Sequence, residues 1–275
     1  MEQTEIPQRK EIESALSNST IAGGTNMDNW NYGTPIKILP DVNVIKIGGQ
    51  SFIDRGRAAL YPLIEELAEL NKNHKMLIGS GGGTRARHVY SVAMDLEMPT
   101  GVLAHIGKAV AEQNARMLQM LLSQHGGILI DDLRFQELPL FFNTGCIPII
   151  AGMAPNEFWE KPPVGGGVIP DNRTDADVYL SAEYLGARKC IFVKDEKGLY
   201  TDDPKKNKDA KFIPRISVQE LLENDLADLV IERCVLEYMM DAAHAKEIQI
   251  INGLEKGNLT RAIEGEDIGT TIYVA

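Results

Sequence analysis

The stretch from residue 76 to residue 88 combines a short apolar run, consecutive glycines and the start of a helical apolar pattern, MLIGSGGGTRARH. Because glycine has no Cβ, its backbone can approach a bound anion closely. The free N–H groups and the positive dipole end of a following helix attract negative charge, and Arg85 and Arg87 add forked donors that suit an oxoanion. The stretch predicts a phosphate or oxoanion site, although it also fits a glycine-rich turn beside two solvated arginines. The residues expected to contact the anion are Gly81, Gly82, Gly83 and Arg85.

Apolar runs of strand length alternate with helical apolar patterns along most of the chain. This alternation predicts a three-layer α/β/α fold, in which helices cover both faces of a mostly parallel central sheet. In such sheets ligands bind beyond the C-terminal ends of the strands. The strands are expected near residues 42–47, 76–78, 128–130, 146–151, 190–193, 248–251 and 269–274.

Several polar residues and glycines follow or interrupt these strands. Lys46 lies inside an apolar run, where desolvation of its charge is costly unless the ammonium group meets an anion; the alternative is an edge-strand lysine whose charged end reaches water. Lys194 ends another strand, and Asp175 begins a helix, where it could also be a plain N-cap. Asp54 is expected to cap the helix that follows it. We expect Lys46, Gly48, Gly49, Asp175 and Lys194 to share one crevice.

Composition limits the classes of partner. The chain has 275 residues, is 44% hydrophobic and 24% charged, and carries a net charge of −11. These values predict a globular protein without a nucleic-acid surface, although a local cradle can still be positive. Three widely spaced cysteines form neither a metal-ligand spacing nor a disulfide framework. With no signal peptide and no apolar run long enough to span a membrane, we expect a cytoplasmic protein.

The chain is expected to consist of an N-terminal extension and one large domain. Residues 1–41 include a stretch rich in serine, asparagine, threonine and glycine without apolar periodicity, which is typical of a loop or linker. The extension is either a loose tail or an arm that docks on a partner subunit. The domain itself is predicted to span residues 42–275.

Four blocks of this domain resemble the amino-acid kinase superfamily and, within it, the uridylate-kinase-like branch. They are residues 44–49 (VIKIGG), 78–83 (IGSGGG), 174–176 (TDA) and 198–206 (GLYTDDPKK). Six further phrases resemble the molybdenum-storage family, in particular its β-type subunits. These are residues 46–51 (KIGGQS), 53–59 (IDRGRAA), 83–88 (GTRARH), 168–170 (VIP), 192–196 (FVKDE) and 212–217 (FIPRIS).

The resemblance implies an amino-acid kinase fold that binds ATP with Mg²⁺ and uses it to load oxomolybdate or oxotungstate clusters into a hexameric cage. Lys46 and Asp175 would be the catalytic residues, with Asp175 orienting lysines or the hydrated Mg²⁺. The implied partner is a homologous second subunit type in a hetero-hexamer, arranged as a trimer of dimers. No metal-ligand set is assigned. The nucleotide-binding residues that it implies are Lys46, Gly48, Gly49, Lys194, Gly198, Tyr200, Asp203 and Lys206.

The segment after the three glycines departs from the uridylate kinase pattern. Here it reads TRARH over residues 84–88, whereas those enzymes usually continue with asparagine, aromatic residues and a single Arg-Gly. Three hypotheses follow: an ATP-dependent molybdate or tungstate storage subunit, a small-molecule kinase with UMP or a carboxylate or carbamate as acceptor, and a non-catalytic nucleotide-binding subunit.

Overall fold

The computed structural model describes residues 35–152, 168–224, 226 and 229–275. The prediction for residues 1–41 falls mostly outside this range and stays a prediction. The described helices are α1 (Arg57–Leu70), α2 (Gly83–Asp95), α3 (Thr100–Leu121), α4 (Leu138–Asn143), α5 (Thr174–Leu185), α6 (Val218–Asn224), α7 (Arg233–Met240) and α8 (Asn258–Glu264). None of the described helices is both long and apolar enough to cross a membrane.

The described strands are β1 (Val42–Ile47), β2 (Lys75–Ser80), β3 (Gly127–Leu129), β4 (Ile147–Ile150), β5 (Lys189–Lys194), β6 (Leu199–Tyr200), β7 (Phe212–Ile213), β8 (Arg215–Ser217), β9 (Glu247–Asn252) and β10 (Thr270–Tyr273). Eight of them form one sheet in the order β3-β4-β2-β1-β5-β9-β10-β8. Their pairings are parallel except that between β9 and β10. β6 and β7 pair separately as an antiparallel ribbon.

Two apolar layers enclose the central strands. Side chains alternate along a strand, so Val42 and Val44 of β1 join the core beneath α5 and α7. Ile45 and Ile47 face the opposite way, into the core beneath α1, α3 and α8. The predicted three-layer α/β/α architecture with a mostly parallel sheet is therefore confirmed.

Asp54 contacts the start of a different helix from the one that the sequence predicts. A short 3₁₀ turn, Ile53–Arg55, precedes α1, which begins after Gly56 without a side-chain cap. The Asp54 carboxylate instead accepts the backbone N–H of Thr84 at 2.6 Å, in the first turn of α2. The prediction that Asp54 caps its own helix was therefore wrong, because the turn carries its carboxylate toward the glycine-rich loop on the neighbouring strand.

Candidate functional site

A cleft of about 780 Å³ lies at the C-terminal ends of β1, β2 and β5. Seven lysines and arginines and six carboxylates line it among the described residues, whereas the whole chain carries a net charge of −11. The cleft is therefore locally more basic than the rest of the protein, as an anion site on an acidic protein requires. The predicted site residues that line it are Lys46, Gly48, Gly49, Gly81, Gly82, Gly83, Asp175, Lys194, Asp203 and Lys206.

Two lysines and one aspartate form the buried centre of the cleft. Lys46 follows Val44 at a two-residue interval on β1, and Lys194 follows Phe192 in the same way on neighbouring β5, so both side chains lie on the α5 side of the sheet. Lys46 donates to Asp175 Oδ1, and Lys194 Nζ lies 3.3 Å from Asp175 Oδ2. The side chains of Lys46 and Asp175 are each 6% exposed.

Charge pairing sets the protonation of this centre. Burial by itself would raise the pKa of Asp175, but the charges of Lys194 and Lys46 and their hydrogen bonds outweigh it and lower that pKa to about 2. Burial and the nearby charge of Lys46 lower the pKa of Lys194 to about 8, against the opposing effect of Asp175. With Asp175 satisfied by two lysines, the centre carries a net positive charge at neutral pH when both are protonated.

An anion such as the MgATP that the sequence resemblance implies is expected to bind this cleft less tightly as pH rises from 7 to 9. Lys194 loses its proton around pH 8, and a bound anion raises its pKa, so binding near pH 8 takes up protons. At pH 9 only about a tenth of free protein keeps that proton, which predicts roughly tenfold weaker binding. Calorimetry at pH 7, 8 and 9 measures this change. Lys194→Arg, which stays charged throughout, is expected to remove it; equal affinity of the wild type at all three pH values would contradict the assignment.

The glycines of the two loops above Lys46 allow the loops to pass backbone against backbone. A Cβ on Gly49 would lie 2.2 Å from the Gly83 nitrogen and 2.7 Å from the Gly81 oxygen. Gly83 has a φ of +71°, which residues with a Cβ rarely adopt. The close packing of the two loops therefore requires glycine at these positions, whether or not the glycines also contact an anion as the sequence predicts.

Carboxylates of the protein cap both helix N-termini beside the cleft. Asp54 accepts the N–H of Thr84 in α2. In α5, the Glu232 carboxylate accepts the N–H groups of Asp175 at 3.2 Å and of Ala176 at 3.1 Å. The alternative reading of Asp175 as an ordinary N-cap is therefore wrong, because Glu232 caps the helix and Asp175 pairs with lysines. Basic side chains, rather than the capped N–H groups, remain to attract an anion.

Three predicted site residues do not line the cleft. The Arg85 guanidinium donates to Asn114 on α3. Gly198 packs against Thr270, whose hydroxyl accepts the N–H of Leu199 at 2.8 Å, and the Tyr200 ring contacts that of Phe212 in the β6–β7 ribbon. Their predicted contacts with a ligand stay predictions.

Sequence reasoning did not assign several charged residues that line the cleft. Arg173 directly precedes α5, and Glu232 directly precedes α7. Both line the cleft, and their side chains pair at 3.4 Å. At the mouth, Asp195 pairs with both Arg55 and Lys205. The burial of Glu232, at 9% exposure, is the signal that marks it in the structure, and nothing in its sequence neighbourhood shows that burial.

The described residues contain no cluster of three or more histidine, cysteine, aspartate or glutamate side chains that could hold a metal ion. Asp175 is already engaged by two lysines. A Mg²⁺ ion that enters with a nucleotide would therefore take most of its oxygen ligands from phosphates and water, as this ion commonly does. Its role there would be to neutralise phosphate charge.

Comparison with known proteins identifies the family of this chain. Residues 41–252 match the model of the amino acid kinase family. The chain belongs to this family. Over 236 residues it is 52% identical to the molybdenum storage protein subunit beta of Azotobacter vinelandii, covering 86% of this chain and 87% of that one. The uridylate kinase of Metallosphaera sedula is 30% identical over 238 residues, covering 83% and 97% of the two chains. The resemblances seen in the sequence are thereby confirmed.

Solved structures agree on the fold. The uridylate kinase of Archaeoglobus fulgidus superposes with a TM-score of 0.65 at 22% identity, covering 84% of this chain and 99% of that one. The UMP kinase of Bacillus anthracis gives a TM-score of 0.65 at 20% identity, with 86% and 96% covered. At this identity the likeness extends to architecture and does not assign a substrate.

Proposed function

We propose that this chain is an ATP-dependent molybdenum storage subunit that binds MgATP in the cleft and helps to load oxomolybdate into an oligomeric cage. The observation that carries the proposal is the buried Lys46–Asp175–Lys194 centre in a chain 52% identical to a molybdenum storage protein subunit. Oxotungstate, which has the same charge and shape as oxomolybdate, is included in the proposal as a second cargo.

The nucleotide half of the proposal rests on the two lysines. An ATP polyphosphate needs positive charge in a site with little water, where charged hydrogen bonds count for more than in bulk solvent. Lys46 and Lys194 provide this charge from adjacent strands, and Asp175 holds both ammonium groups without neutralising the pair. Gly48 and Gly49 line the same wall and leave room for the phosphates.

The oxoanion half rests on one face of α2. Gly83, Arg87 and Tyr90 line the cleft at intervals of four and three residues, which places them on one side of a helix. Arg173 lines the cleft as well. Two guanidinium groups with a phenol suit a compact dianion such as molybdate, which needs several donors around a tetrahedral centre.

A second candidate function is phosphoryl transfer to a small acceptor such as UMP. It is favoured by the 30% identity to a uridylate kinase and by the same lysine–aspartate centre. The two functions differ in the fate of the γ-phosphoryl group: a kinase transfers it to an acceptor, whereas a storage subunit releases it as phosphate while metal is retained.

The proposed partner is a second, homologous subunit type, in a hetero-hexamer built as a trimer of dimers. The name of the storage relative, subunit beta, motivates this part of the proposal. Co-purification of a related chain from the native host would support it. A homo-oligomer that retains molybdenum by itself would replace it with a simpler assembly.

The proposal predicts molybdenum retention that depends on MgATP. Protein incubated with MgATP and molybdate is desalted, and retained molybdenum and released phosphate are measured, with UMP replacing molybdate in a parallel sample. We expect retained metal and free phosphate in the first sample and no UDP in the second. UDP formation without metal retention would overturn the storage proposal in favour of a kinase. Retention that requires an added related subunit would keep the proposal and show that both chains are needed.

Arg87→Ala is expected to lower molybdenum retention by about tenfold or more, because it removes a charged donor worth roughly 1.5–3 kcal/mol. MgATP affinity should change little, since Lys46 and Lys194 remain. Arg85→Ala is the matched comparison two residues away, because its guanidinium contacts Asn114 instead of the cleft. A larger loss from Arg85→Ala than from Arg87→Ala would restore Arg85 as the oxoanion ligand that the sequence predicts.

A further inference from the structure

Glu232 is a buried glutamate at the N-cap of α7 that contacts the start of α5. Its carboxylate accepts three backbone N–H groups there: those of Arg173 at 3.1 Å, Asp175 at 3.2 Å and Ala176 at 3.1 Å. The Arg173 side chain adds an ion pair at 3.4 Å. Glu232 therefore determines where the first turn of α5, and with it Asp175, lies relative to α7.

The contact between these two residues is reciprocal. Asp175 Oδ2 accepts the backbone N–H of Glu232 at 3.3 Å and also lies 3.3 Å from Lys194 Nζ. Each carboxylate is thus held by the backbone of the other residue. A shift of Glu232 would move both the backbone of Asp175 and the donor that orients its carboxylate, and the geometry of the two lysines would change with it.

The hydrogen bonds of Glu232 indicate what it can do. Both oxygens accept N–H groups at the start of α5, and Oε1 also pairs with the Arg173 side chain. The side chain lines the cleft, but its acceptors are directed at α5. This arrangement fits a residue that acts through Asp175 rather than on the ligand.

We propose that Glu232 is a positioning residue that acts through Asp175 to hold Lys46 and Lys194 in the geometry that MgATP turnover requires. The role of these lysines in turnover rests on the proposed function. The coupling of Glu232 to Asp175 rests on the contacts alone. The two parts can therefore fail separately.

Glu232→Gln tests the proposal, because glutamine keeps the shape of the side chain but its NH₂ group cannot accept an N–H. Loss of positioning is expected to lower kcat for ATP hydrolysis on the order of 10- to 100-fold, with a smaller change in KM for MgATP. Glu66→Gln is the matched control. Glu66 is also 9% exposed and caps α8 through the N–H groups of Gly257 and Thr260, and it does not line the cleft. Both variants should lose stability, but only Glu232→Gln should lose turnover.

The decisive comparison repeats Glu232→Gln in an Asp175→Asn background. If Glu232 acts through Asp175, the substitution should change the remaining kcat by less than about threefold there, because coupled residues do not add. An equal loss in both backgrounds, or an equal loss in Glu66→Gln, would overturn the proposal.

A readout without turnover separates this inference from the proposed function. The pH midpoint at which Lys194 reacts with an amine-selective reagent, followed by mass spectrometry, reports the charges that face it, which are Asp175, Lys46 and Glu232. Glu232→Gln should lower this midpoint more in the wild-type background than in Asp175→Asn. Equal shifts would show that Glu232 acts only through its own charge and would overturn the inference. Absence of MgATP binding in a protein that shows the unequal shifts would overturn the proposed function alone.

Discussion

Lys46→Ala is expected to weaken MgATP binding by about 10- to 100-fold, because a charged hydrogen bond to a buried anion is worth roughly 1.5–3 kcal/mol. The Lys46 side chain is buried and lies on the middle strand of the cleft wall, so water cannot replace its ammonium group easily. Titration calorimetry at pH 7 measures the effect. Asp175 keeps Lys194 as a partner in this variant, which limits the damage to the fold.

Lys75→Ala is the matched control for this prediction. Lys75 begins the neighbouring strand β2 at the end far from the cleft, and its ammonium group pairs with exposed Asp41 at 2.7 Å. The Lys75→Ala substitution removes one positive charge from the protein, as Lys46→Ala does, but none from the cleft. MgATP affinity should therefore stay within about twofold of the wild-type value. Unchanged affinity in Lys46→Ala would mean that nucleotide does not bind between β1 and β5.

Asp175→Ala is expected to lower the free energy of unfolding by about 3 kcal/mol at pH 7. Removing one partner of a buried ion pair typically costs about 3–5 kcal/mol, because a buried charge loses its counterion. The lower end applies here, since Lys194 can release its proton more readily than an ordinary lysine. Urea denaturation measures the loss. Asp41→Ala, which breaks an exposed pair with Lys75, should cost less than about 1 kcal/mol.

The pH dependence of the Asp175→Ala effect has a defined sign. The pKa of Asp175 is lowered from 3.8 to about 2, so its carboxylate stabilises the fold fully above about pH 4. This contribution disappears as pH falls toward 2. The difference in stability between wild type and variant should therefore shrink across that range. A difference that stays constant from pH 7 to pH 2 would show that lost packing, rather than lost charge, causes the destabilisation.

The sequence allowed the lysine–aspartate centre to be predicted because each member stands in a local pattern. Lys46 interrupts a buried strand, Lys194 ends one, and Asp175 starts a helix. In a parallel sheet the C-terminal ends of the strands and the starts of the helices that follow lie at the same edge, which brings the three residues together. The three-layer fold could also be predicted, because the alternating strand and helix patterns are local properties of the chain.

The capping carboxylates could not be predicted in the same way. Glu232 lies 57 residues from Asp175 in the chain, and Asp54 lies 30 residues from Thr84. Only the packing of α7 against α5, and of the 3₁₀ turn against α2, brings these groups together. A local pattern does show a carboxylate near a helix start, but it cannot show which helix the carboxylate will cap.

The distinction between Arg85 and Arg87 was available from helix geometry. Residues two positions apart point to nearly opposite sides of a helix, whereas those three or four apart share a side. With Gly83 in the cleft, Arg87 and Tyr90 follow on the same face, and Arg85 turns toward Asn114 on α3. The helical period therefore separates the two arginines, and the predicted contact of Arg85 with an anion stays a prediction.

The most direct test of the storage function is the molybdenum content of this protein purified from its native host grown with molybdate. Any partner subunit is then present, and the metal is loaded by the cell. We predict many molybdenum atoms per oligomer in the wild type, measured by elemental analysis, and a large loss when the chromosomal copy carries Lys46→Ala but not Lys75→Ala. Wild-type protein with no more molybdenum than an unrelated protein purified in parallel would contradict the account.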